Sequence, residues 1–277
     1  MGVNLQNYHL TILGCGVMGG AVLNAILKSE FTPYPASITA CVGSEQEAVS
    51  LRKTLDSKVE ISYGEHNTEA VKKADVIILG LKPYLFEPVI ESVKSGLADG
   101  DKLLISLMAG WTIDDIKPYS KYVARIMTNT PARFGCGTAI VSLSKEAEPY
   151  EEVVMNLIST VGKAMRLPEK NMDAATSLVG SGPAFCLLMM EAMIDGGVRM
   201  GIPYAVAKEC AAKVMEGTAK MVMETGEHPA SLKSAVCTPG GTTIGGLMVM
   251  EDKGVRSGIA RAIEEAANIA SELGKKK

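Results

Sequence analysis

The sequence predicts an α/β protein whose first half is a doubly wound parallel sheet and whose second half is entirely helical. Short runs rich in β-branched residues alternate with helical patterns as far as Pro168. From Asn171 onward these runs disappear, and segments rich in Ala, Met and Leu follow one another. We therefore predict two domains, residues 1–168 and residues 169–277.

The elements of the first domain follow from their apolar patterns. The candidate strands are His9–Leu13, Ser37–Val42, Val59–Tyr63, Val76–Leu81, Lys102–Met108, Tyr122–Met127, Gly137–Leu143 and Ala164–Leu167. Between most of them lie candidate helices, at Gly19–Lys28, Glu45–Leu55, Tyr84–Leu97 and Pro149–Val161. Strands that alternate with helices in this way predict right-handed crossovers between parallel neighbours.

The second domain is a series of helical segments separated by glycine and proline. These breaks fall at Gly180–Pro183, Gly201–Pro203, Gly226–Pro229 and Pro239–Gly246. Two of the segments, Phe185–Ile194 and Cys210–Met223, carry apolar residues around much of their circumference, which favours burial against a second subunit. Alternatively, the methionines fill the core of the same chain, because methionine adapts to irregular gaps.

Composition and charge exclude several classes of protein. With 277 residues and a net charge of −3, the chain has no basic footprint of the kind that nucleic-acid binding needs. Its six cysteines form no CxxC pair and its three histidines are far apart, so we predict no metal site. The longest apolar run, Ala184–Met193, is too short to span a bilayer, and no secretion signal is evident. We predict a cytoplasmic protein with no membrane partner.

A glycine motif follows the first candidate strand directly and begins a helix. It reads Gly14-Cys15-Gly16-Val17-Met18-Gly19. In such a motif the first glycine permits a tight turn, the second lets the backbone approach a pyrophosphate, and the third allows the helix to pack closely on the strand. A glycine-rich turn without a ligand is the alternative, but the strand and helix around the motif favour a Rossmann-type dinucleotide site that includes Val17 and Met18.

The end of the second candidate strand bears on the choice of nicotinamide cofactor. An acidic residue here would bind the ribose 2′-hydroxyl of NADH, but the chain has Cys41-Val42-Gly43-Ser44 before it reaches Glu45. The hydroxyl of Ser44 and the bare amide of Gly43 are suited to a 2′-phosphate. We therefore predict NADPH as the preferred cofactor, with NADH as the alternative.

Other strand ends add candidate cofactor-binding residues at the edge of the sheet where doubly wound folds bind ligands. They are Leu81, Lys82 and Pro83 after the fourth strand, Ala109 after the fifth and Asn129 after the sixth. For Lys82 and Asn129 an exposed lysine and an ordinary turn are the competing interpretations.

Near the end of the chain lies a loop rich in glycine and hydroxyl groups, Cys237-Thr238-Pro239-Gly240-Gly241-Thr242-Thr243-Ile244. It begins a helix, and amides at a helix N-terminus attract anions. Hydroxyl groups beside them can donate to a neighbouring polar atom. The loop therefore predicts a small acidic substrate.

Several motifs together resemble the pyrroline-5-carboxylate reductase family. They are the glycine motif, Arg125–Pro131, Asp173–Thr176, Gly180–Ala184 and Thr238–Thr243. The resemblance covers nearly the whole chain, and the last two motifs are much more specific than the first. It implies NAD(P)H-dependent reduction of Δ1-pyrroline-5-carboxylate to proline, the last step of proline synthesis. It also implies a homodimer formed through the C-terminal helices, with dimers joined into a larger ring.

The resemblance also implies roles for particular residues. Thr238, Gly240, Gly241 and Thr242 would hold the substrate carboxylate, and Thr243 would face the ring nitrogen as the catalytic residue. Asn67 matches a position near the adenosine end of the cofactor. Many relatives carry Asp or Asn just before the threonine loop, whereas this chain has Ser234 and Ala235 in that segment.

Two other functions remain open from the sequence. One is an NADPH-dependent reductase of another small imine or of a 2-oxo acid. The other is a non-catalytic regulator that binds a dinucleotide and turns nothing over.

Overall fold

The computed structural model describes residues 5, 7–98 and 100–275 of the chain. They form two compact units. The first contains residues 1–181 and 266–277, and the second contains residues 182–265. The first unit thus extends beyond the predicted domain boundary at Pro168.

An eight-stranded sheet organises the first unit. Its strands run in the order β3-β2-β1-β4-β5-β6-β7-β8, and every neighbouring pair is parallel except β6 and β7. The strands are β1 (His9–Leu13), β2 (Ser37–Val42), β3 (Glu60–Tyr63), β4 (Val76–Leu79), β5 (Leu103–Ser106), β6 (Val123–Thr128), β7 (Gly137–Leu143) and β8 (Gly162–Arg166).

Helices cover both faces of this sheet. They are α1 (Val17–Leu27), α2 (Glu45–Arg52), α3 (Asn67–Lys73), α4 (Phe86–Ser92), α5 (Ile113–Ile116), α6 (Glu151–Ser159) and α7 (Met172–Ala175), with short 3-10 turns between some of them. One core cluster joins α1 and α6 to the sheet, and a second joins α3, α4 and α5 to its other face. Every residue of β4, β5 and β6 is buried, which explains why β4 is entirely apolar and why β5 and β6 are mostly so.

The predicted fold class is confirmed, and two details differ. Strands β6 and β7 pair in the antiparallel direction, because the connection from Asn129 to Cys136 is too short for a crossover helix and forms only a 3-10 turn. The helix α3 was not predicted, since its seven residues carry a weak apolar pattern.

The second unit consists of α8 (Gly182–Arg199), α9 (Tyr204–Thr225), α10 (Pro229–Ala235), α11 (Thr242–Asp252) and the first part of α12 (Val255–Lys275). It has little core of its own. Among its described apolar residues only Ile194, Ala207 and Ala211 are buried. Leu188 is 66% exposed and Met223 is 76% exposed. The apolar segments therefore do not fill a core within this chain, and the helices present a large apolar surface.

The predicted break at Gly180–Pro183 is absent. The backbone continues from α7 through a π-helix at Thr176–Ser181 directly into α8. The resulting helical run, Glu169–Arg199, has 31 residues and is long and apolar enough to cross a membrane by length and composition alone. The sequence-based argument from the shorter run was wrong in this respect. A subunit interface uses the same kind of apolar surface, and the absence of a membrane partner stays a prediction.

Candidate functional site

The site lies at the carboxyl ends of the strands where the sheet reverses its strand order. Strand β1 lies between β2 and β4, and the chain winds outward from it in both directions. Doubly wound sheets bind ligands at such a switch point. A cleft of about 1240 Å³ opens there, lined at one end by Gly14 and Gly16 and at the other by Gly43, Glu47 and Asn67. This is the volume of a sizeable ligand site.

Three glycines pack together beneath the cleft. Gly14 has a φ of +94°, which favours glycine, and a Cβ added there would lie 2.7 Å from Leu81 Cδ2. A Cβ on Gly19 would overlap the carbonyl oxygen of Gly14, and one on Gly80 would lie 2.5 Å from the same oxygen. Only glycine therefore allows β1, α1 and the end of β4 to approach this closely.

Gly16 has the opposite environment. A Cβ added to it would meet no atom within 4 Å, so the space above its backbone is open. Gly16 is also the N-cap of α1, without a side-chain hydrogen bond and with no acidic residue in the first turn. The amides of Val17, Met18 and Gly19 accordingly have no partner within the helix. These features form an anion site suited to a pyrophosphate.

The end of β2 differs from the interpretation of the sequence. The amide of Gly43 is not bare, because it donates to Glu47 Oε2 at 3.0 Å. The amide and the hydroxyl of Ser44 donate to the same oxygen, at 3.0 and 3.2 Å. Ser44 and Glu47 form a capping box at the start of α2. A carboxylate, that of Glu47, therefore lies at this strand end.

Asn67 lies at the same end of the cleft. Its Nδ2 donates to the carbonyl oxygen of Val42 at 2.9 Å, which ties α3 to the end of β2. Its Oδ1 is buried and has no hydrogen-bond partner. With negligible accessible surface this oxygen is not open to the cleft, and the bond to Val42 is the contact that positions Asn67 beside it.

The remaining predicted cofactor residues divide into two groups. Leu81 and Lys82 line the cleft, and Lys82 is exposed. Asn129 uses its Oδ1 to accept from the amide of Thr138 at 3.1 Å, so its side chain supports the turn after β6. The predicted cofactor-binding residues that do not line the cleft are Val17, Met18, Gly19, Ser44, Pro83, Ala109 and Asn129.

Two buried cysteines lie in the wall of the cleft, Cys15 and Cys41. Burial raises the pKa of the Cys15 thiol to about 11 and that of Cys41 to about 12. Both side chains therefore stay neutral near pH 7, and they act as apolar lining rather than as nucleophiles.

A buried arginine in β6 forms ion pairs with two partly exposed carboxylates. The guanidinium of Arg125 in β6 lies 3.3 Å from Glu169 Oε1 and 3.8 Å from Asp173 Oδ1. The same Glu169 oxygen accepts from the amide of Ile113 at 2.7 Å. Arg125 thus ties β6 to the residues just before and within α7.

The threonine loop lies in the second unit. Gly240 has a φ of +67°, and the amide of Gly241 donates to the carbonyl oxygen of Thr238 at 3.0 Å. Gly241 is the N-cap of α11, which has no side-chain cap and no acidic residue in its first turn. Thr238 and Thr242 are exposed and Thr243 is half-buried. The loop thus presents the amides at the start of α11 beside these hydroxyl groups, and its role as an anion site stays a prediction.

Sequence reasoning missed Gly80 and Glu47. Gly80 precedes the predicted Leu81 by one position, and only its packing on Gly14 shows why glycine is required. Glu47 had a signal, because Ser44 followed three residues later by Glu is a capping-box pattern. Among the described residues no cluster of His, Cys, Asp and Glu is suited to a metal. The absence of a metal stays a prediction.

Known proteins resemble this chain along its whole length. The family described as pyrroline-5-carboxylate reductase dimerisation matches residues 169–273, and the one described as NADP oxidoreductase, coenzyme F420-dependent, matches residues 9–110. Pyrroline-5-carboxylate reductase of Kluyveromyces lactis is 53% identical and covers 99% of this chain and 100% of its own length. The enzyme of Schizosaccharomyces pombe is 40% identical, covering 95% of this chain and 98% of its own length.

Solved structures agree with these relatives. A pyrroline-5-carboxylate reductase of Coxiella burnetii has a TM-score of 0.86 at 26% identity, covering 98% of this chain and 99% of its own. The enzyme of Plasmodium falciparum with NADP bound has a TM-score of 0.82 at 24% identity, covering 98% and 100%, and shows the same fold. The helical region with the exposed apolar residues is the part that matches a dimerisation family, which indicates a homodimer. The chain belongs to the pyrroline-5-carboxylate reductase family.

Proposed function

We propose that this chain reduces the C=N bond of Δ1-pyrroline-5-carboxylate with NAD(P)H and releases L-proline. The observation that carries this proposal is 53% identity over 99% of the chain to an enzyme named for that reaction. The geometry supports it, because the glycine cradle and the open backbone at Gly16 fit a dinucleotide.

Cofactor binding is assigned to the cleft of the first unit. The amides at the start of α1 would hold the pyrophosphate, and Asn67 would lie near the adenosine end. Leu81 and Lys82 line the same cleft beyond Gly80. The positions at Pro83, Ala109 and Asn129 stay predictions for the nicotinamide end. When bound, NAD(P)H supplies the hydride that the imine carbon accepts.

Substrate binding is assigned to the loop of the second unit. A carboxylate would accept hydrogen bonds from the amides at the start of α11 and from the hydroxyls of Thr238 and Thr242. The turn at Gly240 and Gly241 presents these groups on one side of the loop without side-chain bulk. The loop would thus orient the pyrroline ring through its carboxylate.

Thr243 is the proposed catalytic residue. Reduction of the imine adds a proton to the ring nitrogen as well as a hydride to the carbon. The carbon is more electrophilic when the nitrogen is protonated than when it is neutral. The segment Thr238–Thr243 contains no carboxylic acid, amine or imidazole side chain. The Thr243 hydroxyl would therefore donate to the nitrogen or stabilise its charge, while orientation of the reactants supplies much of the rate.

The test is an assay of reduced-cofactor oxidation, with proline measured as the product. The Thr243→Ala variant should lose turnover by about 10- to 100-fold and keep its affinity for NADPH, whereas Thr243→Ser should retain most of the rate. Thr238→Ala should mainly raise the KM for the substrate, by about 5- to 10-fold. Faster turnover of another cyclic imine or of a 2-oxo acid would reassign the substrate. Cofactor binding without any turnover would instead indicate a regulator.

Assembly and location complete the proposal. We infer that dimers of this chain join into a higher ring and that the protein works in the cytoplasm. Light scattering of the purified chain would test the ring. A mass equal to two protomers at all concentrations would exclude it.

A further inference from the structure

We propose that Glu47 sets the preference of this chain between the two nicotinamide cofactors, because its carboxylate occupies the donors that a ribose 2′-phosphate would use. This inference rests on the proposed function, since it takes the cleft as the NAD(P)H site. It assigns to Glu47 a role in specificity that no part of the sequence interpretation gave it.

The Glu47 carboxylate lies at the end of β2. In a doubly wound sheet the end of β2 meets the ribose of the adenosine half, where an acidic group binds a 2′-hydroxyl and a donor set binds a 2′-phosphate. Gly43 and Ser44 follow β2 directly and supply two amides and one hydroxyl. All three donate to a single oxygen, Oε2 of Glu47. The two amides and the hydroxyl group are the donors of an anion pocket, and the side-chain carboxylate of Glu47 occupies it.

The pocket around the Glu47 carboxylate belongs to the cofactor cleft. Gly43 and Glu47 line the same cleft as Gly14 and Gly16. Asn67, which is 8% exposed and also lines the cleft, donates to the last carbonyl of β2 and so ties α3 to this strand end. Both observations assign the end of β2 to the cofactor cleft.

The charges around this pocket disfavour a second anion. The ionisable carboxylates that line the cleft are Glu47 and Glu65, and Lys82 is the ammonium among the lining residues. Lys82 follows β4, on the opposite side of β1 from β2. A 2′-phosphate brings a charge of about −1.5 to −2. Beside Glu47 this charge is repelled, whereas the 2′-hydroxyl of NADH can donate to the carboxylate.

The experiment uses the full chain and compares Glu47→Gln with Glu45→Gln. Glutamine at position 47 keeps an acceptor for the capping box and removes the charge. Glu45 lies in the same first turn of α2 and is exposed, but it does not line the cleft. Dissociation constants are measured by calorimetry for NADPH and NADH, and for the fragments adenosine 2′,5′-bisphosphate and 5′-AMP.

In Glu47→Gln the affinity for NADPH relative to NADH should rise by about tenfold, with the same change for the fragment pair. The change should shrink at high salt, because the two charges are partly exposed. Glu45→Gln should change the ratio by less than about twofold. Equal changes for both cofactors leave the ratio unchanged. This result would show that Glu47 acts only as a helix cap and would overturn the proposal.

Failure of the proposed function is a separate outcome. A chain that binds both cofactors with the expected ratios and forms no proline would contradict the reductase activity and leave the role of Glu47 intact. If the chain forms proline and Glu47→Gln leaves the ratio unchanged, the reductase activity is supported and the role of Glu47 is contradicted.

Discussion

Alanine at Gly19 should damage both folding and cofactor binding, whereas alanine at Gly16 should damage binding alone. A Cβ on Gly19 overlaps the carbonyl oxygen of Gly14, and ordinary contact begins at 3.4 Å. The N-terminus of α1 must therefore move from β1 by about 1 Å. Overpacking of this kind costs about 1–3 kcal/mol. We expect the Tm of Gly19→Ala to fall by about 3–10 °C.

The same shift moves the amides that would hold the pyrophosphate. Loss of one hydrogen bond to a charged group weakens binding by about 10- to 100-fold. In Gly16→Ala the added Cβ meets no protein atom, and the φ of −82° suits any residue. Its Tm should therefore stay within about 1 °C of the parent. Its affinity for NADPH should fall by about tenfold or more, because the methyl group lies where the cofactor approaches.

Gly20→Ala is the matched control. Gly20 lies in α1 one residue beyond Gly19, and a Cβ there would lie 3.9 Å from its nearest neighbour, the carbonyl oxygen of Cys15. Alanine in a helix interior is more stable than glycine by about 0.5–1 kcal/mol, so this variant should gain slightly in Tm and bind NADPH normally. Thermal unfolding and fluorescence titration measure both quantities. Normal binding by Gly16→Ala, or an unaffected Gly19→Ala, would refute the assigned geometry.

Three further perturbations follow from the structure. Asn67→Leu should lower the free energy of unfolding by about 1–2 kcal/mol and weaken NADPH binding, because it removes the bond that ties α3 to the end of β2 beside the cleft; a calorimetric titration that shows unchanged affinity would contradict this. Burial raises the pKa of Cys15 and Cys41, so the folded chain keeps these protons above pH 9 longer than the unfolded chain does. Denaturant unfolding should therefore show stability falling above pH 9 by about 1.4 kcal/mol per pH unit for each thiol, and more gently in the double alanine variant. Glu169→Ala should cost about 3 kcal/mol by leaving Arg125 without its nearest carboxylate, and equal stability of variant and parent in urea would show that Asp173 suffices.

Most of the sheet could be predicted from the sequence because burial on both faces produces continuous apolar strands. The run Val76–Leu79 in β4 and residues 103–105 in β5 are of this kind. The direction of β7 could not be predicted in the same way. It depends on the 3-10 turn between Asn129 and Gly137, and an apolar pattern carries no information about strand direction.

The candidate site was predictable where the backbone itself is the binding group. Gly14, Gly16 and Gly19 are recognisable because their spacing and their place after β1 correspond to one local geometry. Glu47 was not recognised although its spacing from Ser44 fits a capping box, because that pattern does not show which donors its carboxylate binds. Asn67 was assigned through family resemblance, and its unpartnered oxygen became visible only when burial was known.

The sparse core of the helical unit has a consequence for how the protein should be handled. Its buried apolar residues among those described are Ile194, Ala207 and Ala211, whereas leucines and methionines of α8 and α9 lie exposed in a single protomer. Such helices gain most of their burial only on association, so folding of this unit is coupled to assembly. Its melting temperature should rise with protein concentration, and dilution should unfold it before the sheet.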